Sequence, residues 1–401
     1  MRDRQPTHPG RVKITPENGD SYFAVVEMAD EPTEFGTPPT KENLLSDDAE
    51  ISLFGSPADR TVSEAFLGIS AKLKLIMSDM ASITLTVTDQ AGNPVKNVLV
   101  NGIYSDSGAA VYTNDSGVAS GYIAEGSQTI SIKNYADLED ISKTLTVVKG
   151  STITEAITAT RRNFLKLTES KSVKFSGNVS TVDSNPVGGG GAAGSAHLSD
   201  TDNAVASGGA GAGGNSVIEN GISVEANTLY QAIVGSGGAT PGASGGNSSF
   251  LGVTASGGNG GGNAAAYTAG AAGTGNGNGA QGVRYADRVG NASYTEGKNG
   301  SVGTQDSFLS FTETGKLGGG GGSGAIRGLS SMNGKGAGYG GNGGRAGGNG
   351  ENGQDGYGGG GGSAGVDVLY NDNGWECGTH GKGGSGCVNI RIHFDFGDLA
   401  A

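Results

Sequence analysis

The sequence is that of a mostly β protein in three parts: a small N-terminal module (residues 1–80), a β-sandwich (81–160) and a glycine-rich domain (161–401) packed as a polyglycine-II sandwich. Three observations lead there. Short β-branched runs separated by turn residues fill 82–160. Of the 79 glycines, 66 lie in residues 188–401 and only 13 before them. Within that tail, glycine falls at every third position over a long stretch.

In the N-terminal module, Gly10 to Thr15 alternates and stops at Pro16, and Tyr22 to Met28 is a second apolar run after Asn18-Gly19-Asp20. The pattern predicts a strand pair. Pro32 to Pro39 is closed to helix, and Ser56-Pro57 opens a short helix carrying Val62, Ala65, Phe66 and Ile69. The module is too small and interrupted to bury a large core, so it is expected to complete its packing against partners or sister chains.

In the sandwich, Ile83 to Thr88 alternates with period two, Asp89 to Pro94 is dense in turn residues, and Val95 to Val100 resumes the pattern. Further runs at 111–113, 118–123, 129–132, 142–148 and 152–159 bring the total to six or seven short strands. Another strand-like run spans 163–182. Its expected counterpart is Val388, Ile390, Ile392 and Phe394 near the C-terminus, so that the two segments bracket the glycine-rich domain and bring its ends together.

Glycine occupies Gly338, Gly341, Gly344, Gly347, Gly350, Gly353, Gly356, Gly359, Gly362 and Gly365 in one register. Period three is the repeat of the extended left-handed helix, with about 3.1 Å rise and no internal hydrogen bonds. Every backbone group must then find a partner outside its own helix, because burying one unpaired costs on the order of 1–3 kcal/mol. An edge made only of glycine lets neighbouring backbones approach closely enough to bond, giving a slab whose interior is backbone. Valine at Gly347 or Gly350 is expected to hold the neighbours apart. Collagen shares the period but requires abundant imino acids, and all ten prolines lie at or before Pro241.

Several segments resemble known families. MRDRQPTHPGRVKITPENG, DEPTEFGTPPTKENLLSDDAEISLFG and TVSEAFLGI resemble, over about 70 residues, the N-terminal module of phage and prophage tail-fibre proteins of Firmicutes, which implies attachment to a baseplate or tail tip. VTDQAGNPVKNVLV with YTNDSGVASGYIAEGSQTISI resembles carboxypeptidase-regulatory-like and bacterial Ig-like domains, implying a spacer. Tyr230, Val234 to Gly238, Gly245 to Phe250 and Gly257-Gly258 match the glycine-rich domain of phage tail proteins. The glycine pattern alone is also similar to the receptor-binding tip adhesins of T-even-like phages, in which loops between polyglycine-II helices bind the host.

The formal charge of −13, with no basic run, argues against nucleic acid as a partner. No stretch approaches 18 uninterrupted apolar residues and no apolar run follows the first residues, which argues against membrane insertion and a signal peptide. Cys377 and Cys387 leave open one bridge or two unpaired thiols. His8, His197, His380 and His393 are scattered, Gly334-Lys335 lacks a phosphate-loop context, and Asn371 to Gly374 lacks the remaining calcium ligands; no metal, cofactor or catalytic residue is expected.

If glycine is the scaffold, specificity belongs to the segments that interrupt it. The richest is Val366 to Glu376, with Tyr370, Asp372, Asn373 and Trp375, where aromatic area and hydrogen-bonding groups suit a sugar ring or a protein pocket. Trp375 covering the slab edge is the competing reading. Tyr285 and Tyr294 mark a second segment, and 325–333 a third. The expectation is a non-enzymatic, homotrimeric fibre or adhesin of a virion tail or tail-like particle, assembled in the host cytoplasm. It would hold baseplate or tail proteins by its N-terminus and a bacterial surface glycan or protein by these loops. A purely structural tail-tip or decoration protein is the alternative. A depolymerase tailspike would need repeated apolar rungs that are absent.

Overall fold

Where the pattern alternates, the chain forms strand. The computed structural model describes residues 80–199, 204–266, 268–285, 297–303, 317–326, 333–368 and 375–396, together with strands β1 (Val12–Pro16) and β2 (Ala24–Met28). These two strands pair antiparallel from Val12↔Met28 to Pro16↔Ala24, as the alternation requires. The helix expected after Ser56 lies outside the described residues. Chain contacts define two compact units, Met1–Ser82 with Tyr122–Ser127 and Thr146–Thr152, and Ile83–Gly121 with Gln128–Leu145 and Ile153–Ala401.

The sandwich strands are β3 (Ala81–Asp89), β4 (Val118–Ile123), β5 (Gly126–Ile132), β6 (Ile141–Val147) and β7 (Thr152–Ala159), arranged as β4-β3-β7 and β5-β6. Strict alternation along β3 buries Ile83, Leu85 and Val87, which meet the inward requirement of a half-buried strand. The runs expected at 95–100 and 111–113 are not ladders. They meet at one bridge, Leu99↔Tyr112, with Val100 N–H donating to Val111 O and Thr113 N–H to Val98 O, and left-handed Asn97 (φ 49°) and Gly102 (φ 91°) interrupt the extended run.

The inward face of β3 ends on a buried charge, Asp89. Opposite it stands Arg161, at the start of the glycine-rich part, with its side chain fully buried. Its Nε donates to Asp89 Oδ2 at 2.9 Å, Nη1 to Asp137 Oδ2 at 3.4 Å and Nη2 to Asn178 Oδ1 at 2.9 Å. The stacked rings of Phe394 and Phe396 each lie 5.0 Å from the guanidinium carbon. Ser176 closes the network by donating N–H and Oγ to Asp137, at 3.0 and 2.6 Å. Burial pushes the Asp137 carboxyl above its ordinary value. Burial acts the same way on Asp89, yet bonds from Asn93, Arg161 and Ala91 outweigh it and hold that carboxyl below its ordinary value.

The remaining strands are β8 (Phe164–Leu167), β9 (Lys171–Val173), β10 (Val179–Val187), β11 (His197–Ser199), β12 (Ala204–Ala206), β13 (Glu219–Ser223), β14 (Tyr230–Ala232), β15 (Ser248–Phe250), β16 (Val253–Ala255), β17 (Arg284–Tyr285), β18 (Val366–Val368), β19 (Trp375–Cys377) and β20 (Cys387–Phe394). One sheet runs β13-β10-β20-β8, so β20 pairs β8 from Val388↔Leu167 to Arg391↔Phe164 and the two ends of the domain meet. Val388, Ile390, Ile392 and Phe394 turn one face to a core with Phe175, Val179, Val182 and Phe250.

Beyond β10 the chain leaves strand geometry and adopts the three-fold bonding of polyglycine II. Gly188, Gly191 and Gly194 donate to Asn215, Ala212 and Gly209; Gly189 and Ala192 donate to Gly246 and Ala243; Gly190 and Ala193 donate to Gly384 and Gly381. Successive N–H groups thus point to three different antiparallel neighbours and return to the first after three residues, as a three-residue turn dictates. The packing leaves no room for a side chain on the bonded edges: a Cβ at Gly190 would lie 2.0 Å from Gly359 O. Glycine is obligatory there for steric reasons.

The ten-glycine register is folded back on itself, not one straight helix. Gly338, Gly347 and Gly356, nine residues apart, have φ of 54°, 67° and 75° and turn the chain. Around Gly347, bonds run from Gly348, Glu351 and Gln354 back to Arg345, Asn342 and Tyr339; after Gly356, Gly362 and Gly365 bond Glu351 and Gly348. The expectation for valine at Gly347 is corrected accordingly. A Cβ there meets Asp367 Cβ at 3.3 Å, so φ is the obstacle, whereas at Gly350 it would lie 2.0 Å from Gly362 O.

Side chains join the ladder along one edge. Asn349, Asn352 and Asp355 accept the N–H of Thr379, Lys382 and Ser385, each at 2.8 Å. The glycine that follows each, Gly350, Gly353 and Gly356, donates to the carbonyl of the same residue at 2.9, 2.8 and 3.0 Å. Partners advance together, so these two segments run parallel.

Candidate functional site

Two small apolar clusters cap the slab. Val187, Leu317 and Cys387, with Phe164 and Tyr357, form the base; Val205, Val283, Ile326 and Val366, with Ala196 and Leu198, form the tip. Residues 187 to 196, 317 to 326 and 357 to 366 each run from base to tip in nine residues. Three turns at about 3.1 Å per residue make each run about 28 Å long. A fourth run returns from Cys377, paired with Val366, to Cys387 at the base.

Four interruptions of the glycine pattern have their roots at this tip, whereas 304–316 is followed by Leu317 at the base. Strands β11 and β12 pair from His197↔Ala206 to Ser199↔Ala204, and β12 also pairs β17. Parallel pairing joins Ile326 to Val366, and β18 pairs β19 from Val366↔Cys377 to Val368↔Trp375. The segments that these strands and Ile326 lead into, 200–203, 286–296, 327–332 and 369–374, lie outside the described residues. Polyglycine helices carry almost no side chains, so the chemistry that can discriminate is gathered where they end.

Of the sequence-derived candidates, Trp375 opens β19 opposite Val368, and Tyr285 pairs Val205 in β17. Their side chains, and residues Tyr370, Asp372, Asn373 and Tyr294, lie outside what is described. The structure therefore brings the roots of the two segments to one apolar cluster, something sequence spacing does not disclose, since Tyr285 and Trp375 are 90 positions apart. At the root of the second hairpin Asp367 stands directly opposite Glu376, a like-charge pair that disfavours the ladder.

The thiols are not bridged: Cys377 is exposed at the tip and Cys387 buried at the base. Although the residue reaches solvent, partial desolvation of its sulfur pushes the Cys377 thiol above its ordinary value, which disfavours the thiolate. Among the described residues no three His, Cys, Asp or Glu side chains converge to hold a metal. On the flank of the tip, a groove of about 400 Å³ is lined by Thr268, Gln281, Val283, Arg284 and Lys298. Sequence reading passed over Lys298, because nothing local distinguishes it.

A family model described as a glycine-rich domain matches residues 167–393, more than half of the chain. The chain belongs to this glycine-rich domain family. The match begins at the last residue of β8 and ends one residue short of the end of β20, so this family unit is bracketed by the two strands that close the domain. No curated protein matches the chain.

Proposed function

We propose that the chain is a non-enzymatic fibre or tip adhesin of a virion tail or tail-like contractile particle. Its N-terminal module attaches to baseplate or tail proteins, as a homotrimer, and loops of the glycine-rich domain bind a bacterial surface receptor. The observation that carries the reading is that the roots of four of the slab's interruptions meet at one apolar cluster, at the opposite end of the glycine runs from the closing strands. A scaffold about 28 Å long whose interior is backbone supplies stiffness and shape. Recognition then rests on aromatic groups such as Tyr370 and Trp375, which offer area with few rotamers to freeze.

The test is attachment of the purified full chain to a panel of intact Firmicutes cells. Trp375→Ala is expected to abolish attachment on the host strain with circular dichroism and melting temperature nearly unchanged. Unfolding of the variant would make Trp375 a packing residue. Attachment of neither protein to any strain would favour the purely structural tail protein.

A further inference from the structure

Asparagine followed by glycine is a chemically weak dipeptide, because glycine has no side chain to shield its own nitrogen. That nitrogen, having given its proton to hydroxide, attacks Cγ of the asparagine. The Cγ–Nδ2 bond breaks, ammonia leaves, and water opens the resulting succinimide to aspartate or isoaspartate. Isoaspartate routes the main chain through the side chain and lengthens it by one atom, which a three-residue repeat cannot absorb. The reaction needs a free nucleophile and a carboxamide that can swing onto it.

At several places the slab removes both at once. Asn349 Oδ1 accepts Thr379 N–H at 2.8 Å while Gly350 N–H donates to Thr379 O at 2.9 Å, and Lys382 holds Asn352 and Gly353 in the same way, each at 2.8 Å. Lys335 repeats the clamp on Asn299 and Gly300, at 2.8 and 3.0 Å. One residue of a neighbouring segment thus binds the attacking nitrogen and the group it would attack. Asn101 and Asn259 are exposed, as these three asparagines are, so burial does not separate them. Yet the N–H groups of Gly102 and Gly260 meet no acceptor among the described residues. The Asn259 carboxamide is held only by hydroxyls, Nδ2 donating to Thr274 Oγ1 at 2.7 Å and Oδ1 accepting from Ser244 Oγ at 3.5 Å, and Asn101 Nδ2 donates to Ser131 O at 3.3 Å. We propose that Asn101 and Asn259 are sites of spontaneous deamidation in the folded chain, and that the clamps at Asn299, Asn349 and Asn352 keep those three Asn–Gly pairs intact.

The test incubates the full chain, folded and in urea, in mildly alkaline buffer and follows each asparagine by peptide mapping and mass spectrometry. Each site's rate in the folded chain is divided by its own rate in urea, which cancels the influence of flanking residues. A clamped pair reacts only through local opening, so this ratio is expected to be at least about tenfold lower at Asn299, Asn349 and Asn352 than at Asn101 and Asn259. Ratios at Asn349 or Asn352 matching that at Asn259, or ratios at Asn101 or Asn259 as low as at the clamped pairs, overturn the proposal. Thr379→Pro deletes the N–H donated to Asn349 and suits the helix geometry. It is expected to raise the ratio at Asn349 and leave it unchanged at Asn352; no rise at Asn349 in a folded variant overturns the clamp, and should the variant fail to fold, the comparison in the parent chain still decides.

Discussion

In the sandwich, Leu85 and Ile130 are fully buried and the stabilising quantity is apolar area, about 25 cal/mol per Å². In the slab, the buried positions between base and tip include Gly190, Gly191, Ala192 and Ala193, whose N–H groups are satisfied in rotation by three neighbouring segments of backbone. The first core is tolerant of shape and sensitive to volume. The second is indifferent to hydrophobicity and intolerant of a single added carbon at glycines such as Gly190 and Gly350, whose Cβ would enter a neighbouring backbone. Ordering so much glycine is entropically expensive, so the slab stands only because its bonds are made together, while the sandwich accumulates stability side chain by side chain.

The sharpest way to break this contrast is Gly350→Val. With Cβ placed 2.0 Å from Gly362 O, the substitution is expected to abolish folding of the slab, visible as loss of its cooperative unfolding transition. Leu85→Ala in the sandwich should cost about 2–5 kcal/mol and leave that transition in place. Gly347→Val, in the same register, should cost about 1–3 kcal/mol, because its left-handed φ is strained while the nearest atoms to its Cβ, at 3.3 Å or more, belong to the side chains of Asp367 and Glu376 and not to a bonded backbone. Equal effects at Gly347 and Gly350 in urea unfolding would refute the steric account.

The junction asks whether the two cores unfold together. Arg161→Ala leaves Asp89 and Asp137 buried without their cation and is expected to cost about 3–5 kcal/mol. Coupled cores are expected to unfold in urea as one transition in the parent chain and as two in this variant; a single unshifted transition in the variant would mean that the cores are not coupled through this residue.

Smallest is the pH effect. The Asp89 carboxyl is held below its ordinary value in the folded chain, so its contribution is complete above about pH 4 and lost as pH falls through the folded value. Asp137 acts in the opposite sense, since burial raises it and its preference for the protonated form adds stability on the acid side. Melting temperatures followed from about pH 5 to about pH 2 should fall for the parent chain and fall less for Asp89→Asn. An equal fall in both would assign the acid limb to other carboxylates.

Much of the architecture was legible in the residues. Period two gave β3 and β20, and period three gave a slab whose interior is backbone, because each is a geometric repeat written into side-chain spacing. The turns at Gly338, Gly347 and Gly356 were not, since glycine serves a left-handed turn and an extended helix alike and the register passes through without a mark. Nor was Arg161: an arginine after a strand reads as a surface residue until Asp89 and Asp137, 72 and 24 positions away, are seen to enclose it. The gathering of Tyr285 and Trp375 at one tip is likewise a property of how the runs are folded, invisible along the chain.

A core made of bonded backbone also has a thermal signature. Unfolding the sandwich exposes apolar surface, which raises the heat capacity by about 0.45 cal/mol/K per Å², while unfolding the slab exposes mainly peptide groups, which lowers it by about 0.26. The change for the slab per residue is therefore well below the usual 12–15 cal/mol/K, and the curvature of its stability with temperature is correspondingly slight. With so little curvature, the stability of the runs that begin at Gly188 follows the large entropy of ordering glycine and keeps rising as the temperature falls, where a hydrophobic core of that size would weaken at the cold end of the range.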